Sequence, residues 1–260
     1  MPKKIKYIIS SVLAAVGFYF FISLPYEVRY FGLMVGTVLT MFCFWFGLGI
    51  IFDKSLYIRL MSVILPSCFF VGFGMFIALL PLSVLGMVSA SVFFGVIFYI
   101  LFLVENVFLV AIGYKTVPLY RAAYTVSLMV LLLAAFFMFD TLLSFNFPYW
   151  GNMLVVFVLS FLIFFYQFWA MTIELPDDGV GKDKSVYVFI PAWLLSQIAL
   201  VFSFWPVGIF KGSIYLVSGV YVLSGLIQAE IRERLFKRTW IMYIWIGVAI
   251  LIGIISVTRW

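Results

Sequence analysis

Nine apolar runs, each about as long as a bilayer is thick, follow one another along this chain, and its basic residues fall almost entirely in alternate gaps between them. A helix needs about 20 residues to cross the hydrocarbon layer. The runs cover 7–23, 30–51, 58–80, 84–112, 118–139, 150–172, 187–205, 209–229 and 239–258. Backbone groups left unpaired in lipid are costly, so continuous runs of this kind fold as helices, whereas barrel strands would be short and alternating. The expected fold class is all-α: a polytopic integral membrane helical bundle of about nine transmembrane helices, with short loops and residues 1–260 as a single domain.

One set of gaps holds Lys3, Lys4, Lys6, Lys54, Arg59, Lys115, Arg121, Lys182, Lys184, Arg232, Arg234, Lys237 and Arg238. The other holds only Arg29, Lys211 and Arg259. The positive-inside rule then puts the N-terminus in the cytoplasm and the C-terminus outside, in a cell (inner) membrane. The Lys3–Lys6 cluster ahead of Tyr7 has the layout of a secretion signal, but the run is long and no small-x-small site closes it, so it is expected to stay as the first span.

Hydrophobic residues make up 67% of the chain and charged residues 10%, against roughly 25% charged in a soluble domain. The +6 net charge is the basic excess already described; it faces anionic lipid head groups and implies no nucleic acid. Histidine is absent, which removes the commonest general base and the commonest zinc and haem ligand. Cys43 and Cys68 lie inside apolar runs, where thiols behave as small hydrophobes. No metal site and no cofactor is expected.

Prolines support the division. Pro25, Pro81, Pro118, Pro148, Pro176 and Pro206 fall in gaps or at span starts, where a missing N–H is harmless; only Pro66 and Pro191 fall inside spans. Trp150, Trp205, Trp240 and Trp260 lie near span ends, as an aromatic belt requires.

The longest polar stretch, Glu174–Ser185, reads as a loosely ordered cytoplasmic loop. Its Gly179–Ser185 segment is not a phosphate loop, because Pro176 stands where the first glycine is needed and Asp183 replaces the magnesium-binding hydroxyl. Ala229–Arg238 reads as a helical extension with Glu230–Arg234 and Glu233–Lys237 spaced four apart. Its Arg232, Arg234, Lys237 and Arg238 are candidate contacts to lipid head groups. No internal repeat is evident.

Candidate chemistry is sparse. Glu105, with Asn106, lies about eight residues inside the fourth run, roughly 12 Å deep at 1.5 Å per residue. A carboxylate at that depth is expected to face the bundle and to be either a proton site or a structural partner of Arg121. Asp140 and Asn146 read as interfacial, and Glu27 as an ion-pair partner of Arg29. Pro66, with Ser67, Gly72 and Gly74 after it, marks a kink or a broken helix; Ser196 and Gln197 follow Pro191 near the middle of the seventh run. Gly32 with Gly36, Gly86 with Ala90, and Ser10 with Ala14 are small-residue pairs that let helices approach, within the chain or against a second copy. No span carries a central lysine for retinal, and no nucleophile, base and orienting group are assembled as a protease or phosphatase needs.

The expected role is a non-catalytic membrane component: a scaffold, assembly factor or complex subunit, working with lipids and with a membrane-protein partner or a second copy. The alternative is movement of an ion or small solute, proton-coupled through Glu105. An intramembrane enzyme is the third and weakest reading.

Overall fold

The computed structural model describes residues 3–49, 55–114, 118–173, 185–205, 207–232 and 236–257. Arg234, Glu233 and the 174–184 loop, all singled out above, lie outside the described residues. The described chain is helical and contains no strand. Its helices are α1 (Lys3–Ser23), α2 (Arg29–Leu48), α3 (Leu56–Ala78), α4 (Val84–Gly113), α5 (Tyr120–Ser144), α6 (Tyr149–Thr172), α7 (Val186–Phe204), α8 (Ile209–Ile231) and α9 (Lys237–Val257), with a 3-10 turn over Tyr26–Val28. Eight are long and apolar enough to span a membrane, and α9 adds a shorter apolar stretch, Trp240–Ile250. The chain is an all-α polytopic membrane protein.

Local chemistry fixes the ends. Ser55 and Ser83 cap α3 and α4, their hydroxyls accepting from the N–H of Ile58 and of Gly86. α2 stops at Leu48 although the apolar run goes on, because Gly49 takes a left-handed φ of 68° and its N–H returns to the carbonyls of Trp45 and Phe46. α8 ends at Ile231 with Arg232 as its C-cap, so the helical extension expected over Ala229–Arg238 stops there. Pro66 and Pro191 are both buried inside uninterrupted helices, so neither α3 nor α7 is broken.

The chain divides into two compact units, Met1–Met138 and Phe139–Trp260, and the division falls within α5. In the first unit α1 packs on α2 and α4, and α2 on α3. Its interior is a set of interlocked rings. Phe18 stacks on Phe94 at 4.4 Å and on Phe73 at 5.3 Å, and meets Phe70 edge-on at 5.7 Å. Phe44 stacks on Phe102 at 4.6 Å, and Phe137 of α5 joins Phe73 and Phe76. Lipid offers no hydrophobic drive between helices, so this close packing supplies the cohesion, each ring pair adding about 0.5–1.5 kcal/mol.

Glycines admit the rings and helices. A side chain at Gly36 would collide with the Phe70 ring, and one at Gly47 with the Phe102 ring. At Gly72 a Cβ would lie 2.9 Å from the Ala134 carbonyl and 2.7 Å from Met138 Cγ, so α3 and α5 touch there almost backbone to backbone. The small residues thus serve packing within the chain: Gly32 is filled by Leu24, and Ser10 and Ala14 are buried. In the second unit α6 packs chiefly on α7, α7 on α8, and α8 on α9.

Candidate functional site

Glu105 is 0% exposed. It shares one face of α4 with Phe98, Leu101, Phe102 and Phe108, all fully buried, because positions three or four apart line up on a helix. The neighbouring Asn106 is half-buried, and its Oδ1 accepts a 2.9 Å hydrogen bond from Tyr7 Oη of α1. The Tyr7 ring lies parallel to Phe102 at 5.3 Å, so one tyrosine both stacks on α4 and ties a polar group to it. Tyr7 was not apparent in the sequence as a partner, since 99 residues separate it from Asn106.

Arg121 does not join this group. It is exposed on the first turn of α5 and forms no ion pair with Glu105, while the adjacent Tyr120 is buried against Phe108 at 5.5 Å. Arg121 lies about 100° around the helix from the inward-facing Tyr120, and its side chain is exposed. The expected Glu27–Arg29 ion pair is also absent. Arg29 donates instead to the carbonyls of Ile22, Leu24 and Ala78, with its guanidinium over the Tyr26 ring at 4.2 Å.

In the second unit Ser196 is buried and donates to the Trp193 carbonyl of its own helix at 2.7 Å. Gln197 is half-buried and lines an apolar groove of about 640 Å³ formed by α7, α8 and α9, with Trp205, Tyr215, Gly219 and Gly247. A second apolar groove of about 790 Å³ lies in the first unit between α1 and α4, with Ser11, Ala15, Ser91 and Gly95 at its base. Of the candidate head-group contacts, Lys237 and Arg238 are exposed at the start of α9 and Arg232 is half-buried.

A different polar cluster occupies one end of the second unit. Asp140, one turn before the end of α5, is 9% exposed. Ser213 Oγ of α8 lies 3.2 Å from its Oδ1 and 2.8 Å from the Ile209 carbonyl, and its single proton serves either. One turn beyond Asp140, Leu143 helps to form a cavity of about 350 Å³ with Asn146, Tyr149, Asn152, Ser203 and the 207–209 turn. Asn152 is 7% exposed; its Nδ2 donates to the Phe147 carbonyl and to Ser203 Oγ, both at 3.2 Å. The Phe147 carbonyl can only accept, which fixes the orientation of the amide. Asn152 Oδ1 is then a buried acceptor with no donor, a situation that costs about 1–3 kcal/mol. The signal for this cluster was present but diffuse: in an alternating topology, polar residues at the ends of odd spans and the starts of even spans meet at one membrane face.

The chain matches no family model, no curated protein and no solved structure.

Proposed function

We propose that this protein is a non-catalytic component of a cell (inner) membrane, with its N-terminus in the cytoplasm and C-terminus outside, acting as a scaffold or complex subunit. The observation that carries this reading is the state of Glu105: the carboxyl is wholly enclosed on a ring-lined face of α4 and opens on none of the cavities described. The next residue on α4, Asn106, is used structurally, by Tyr7. The two apolar grooves on the flanks suit acyl chains or a partner helix.

Photo-cross-linking tests this reading. With a benzoylphenylalanine at Val12 or Val92, in the α1–α4 groove, cells should yield one discrete protein adduct that a position outside the groove does not give. Diffuse lipid adducts alone, together with Glu105-dependent proton flux in reconstituted vesicles, would count against it. The second reading, passage of an ion or small solute, is favoured by one observation: the Asp140–Ser213 pair lies one turn below a polar cavity. Uptake into vesicles that is lost in Asp140→Asn would support it.

A further inference from the structure

We infer that the cavity at the end of the second unit is a binding site for a primary ammonium group, carried either by an aminophospholipid head group or by a free small amine. The inference is independent of the function proposed above. The cavity is built rather than incidental: α5, α6, α7 and α8 each contribute to it, and Gly208, at φ 77°, turns the chain across its rim. Its floor is tight, since a Cβ at Gly212 would meet Leu143 at 3.0 Å and Phe202 at 3.7 Å.

Two side-chain acceptors of the lining have capacity left. Asn152 Oδ1 is buried and lacks a donor. Ser203 Oγ has its proton on the Ala199 carbonyl and accepts from Asn152 Nδ2, which leaves it one lone pair. An ammonium group brings three donors and no acceptor, the complement of that set. Rings line the rim: Tyr149 is 54% exposed, with its ring 5.5 Å from Phe204, and Phe147 and Phe202 also face the space. Ring faces within about 6 Å attract a cation. Asp140 lies one turn below Leu143, within hydrogen-bond reach of Ser213, the residue after the floor residue Gly212. Lys211, on the same first turn of α8, is exposed and has its own interaction. The cavity sits where helices end, which is head-group depth for spans of this length.

The test uses the full chain in nanodiscs and two soluble probes, ethanolamine and choline, read by calorimetry. Ethanolamine should bind, and choline, whose nitrogen has no N–H, should bind at least about tenfold more weakly, the worth of a hydrogen bond to a charged group. Asn152→Leu and the rim variant Tyr149→Leu should each weaken ethanolamine about tenfold. A higher melting temperature in phosphatidylethanolamine than in phosphatidylcholine nanodiscs, reduced by added ethanolamine, assigns the site to the lipid; equal melting with retained ethanolamine binding assigns it to a free amine. Equal affinity for choline, no ethanolamine binding with no lipid difference, or unchanged binding in either folded variant overturns the inference. If Asn152→Leu does not fold, Tyr149→Leu decides alone.

Discussion

The guanidinium of Arg29 reaches the carbonyl of Ala78 across 3.1 Å, and in doing so joins the last turns of two helices that are neighbours only in space. Its other nitrogens take the carbonyls of Leu24 and Ile22, so one side chain satisfies orphan acceptors at the ends of both α1 and α3. This gives a basic residue on the sparsely charged side of the sequence a structural reason to be there.

Replacing Arg29 with Ala should therefore lower stability by about 2 kcal/mol, the scale of hydrogen bonds to a charged group. Arg29→Lys should recover less than half of the loss, because a point charge cannot serve three carbonyls in different directions. Melting curves in nanodiscs of the three proteins check the order; equal stability of the Ala and native forms would be the contrary result.

Glu105 and Arg121 should behave as strangers. A double-mutant cycle through Glu105→Gln and Arg121→Ala should give a coupling energy below about 0.5 kcal/mol, since Arg121 is exposed and unlinked to the carboxyl. Tyr7→Phe and Asn106→Leu, by contrast, should couple by about 1 kcal/mol through the 2.9 Å bond they share.

Two glycines offer a matched comparison. Gly72→Ala should cost about 1–3 kcal/mol, because the new methyl meets the Ala134 carbonyl at 2.9 Å. Gly17→Ala meets nothing within 4 Å and should be neutral or stabilising. Equal effects of the two would mean that α3 and α5 are not in close register at that point.

Cys68 is buried in α3 and Cys43 is half-buried in α2. In a Cys43→Ala protein, a thiol-reactive dye should label only as the chain unfolds, so the labelling curve on heating should coincide with the loss of circular dichroism. Rapid labelling at room temperature would show that the α3 face opens in the native state.

Reporter fusions test the orientation read from the basic residues. A fusion at Ser185 should report the cytoplasm and a fusion after Trp260 the outside; the same side for both would require an even number of crossings between Ser185 and Trp260.

The spans were legible because composition alone forces them: the run 58–80 became Leu56–Ala78, and 209–229 became Ile209–Ile231. Errors fell where one residue overrides hydropathy. α2 ends before the run 30–51 does because Gly49 turns left-handed, and α5 continues past 139 to Ser144, through a segment with no glycine or proline to stop it. The seam between the two units has no linker to announce it, since it cuts through a helix of ordinary apolar sequence. Depth made Glu105 readable as a residue to watch, but its surroundings are set by helix rotation, which hydropathy does not encode; the same holds for Arg121 and for the cluster around Asn152.

Tyr7 has its partner 99 residues downstream, and Phe18 stacks on a ring in α4. At a synthesis rate of about 5–20 residues per second, the first helix waits roughly 5–20 s in the bilayer before its partner helix has been made. Until α3 supplies Phe70 and Phe73 the ring of Phe18 faces acyl chains, or whatever insertion machinery is holding it, and Tyr7 waits the whole interval for Asn106. The ring cluster that stabilises the finished unit thus makes its earliest-made helix the one most dependent on help during biogenesis.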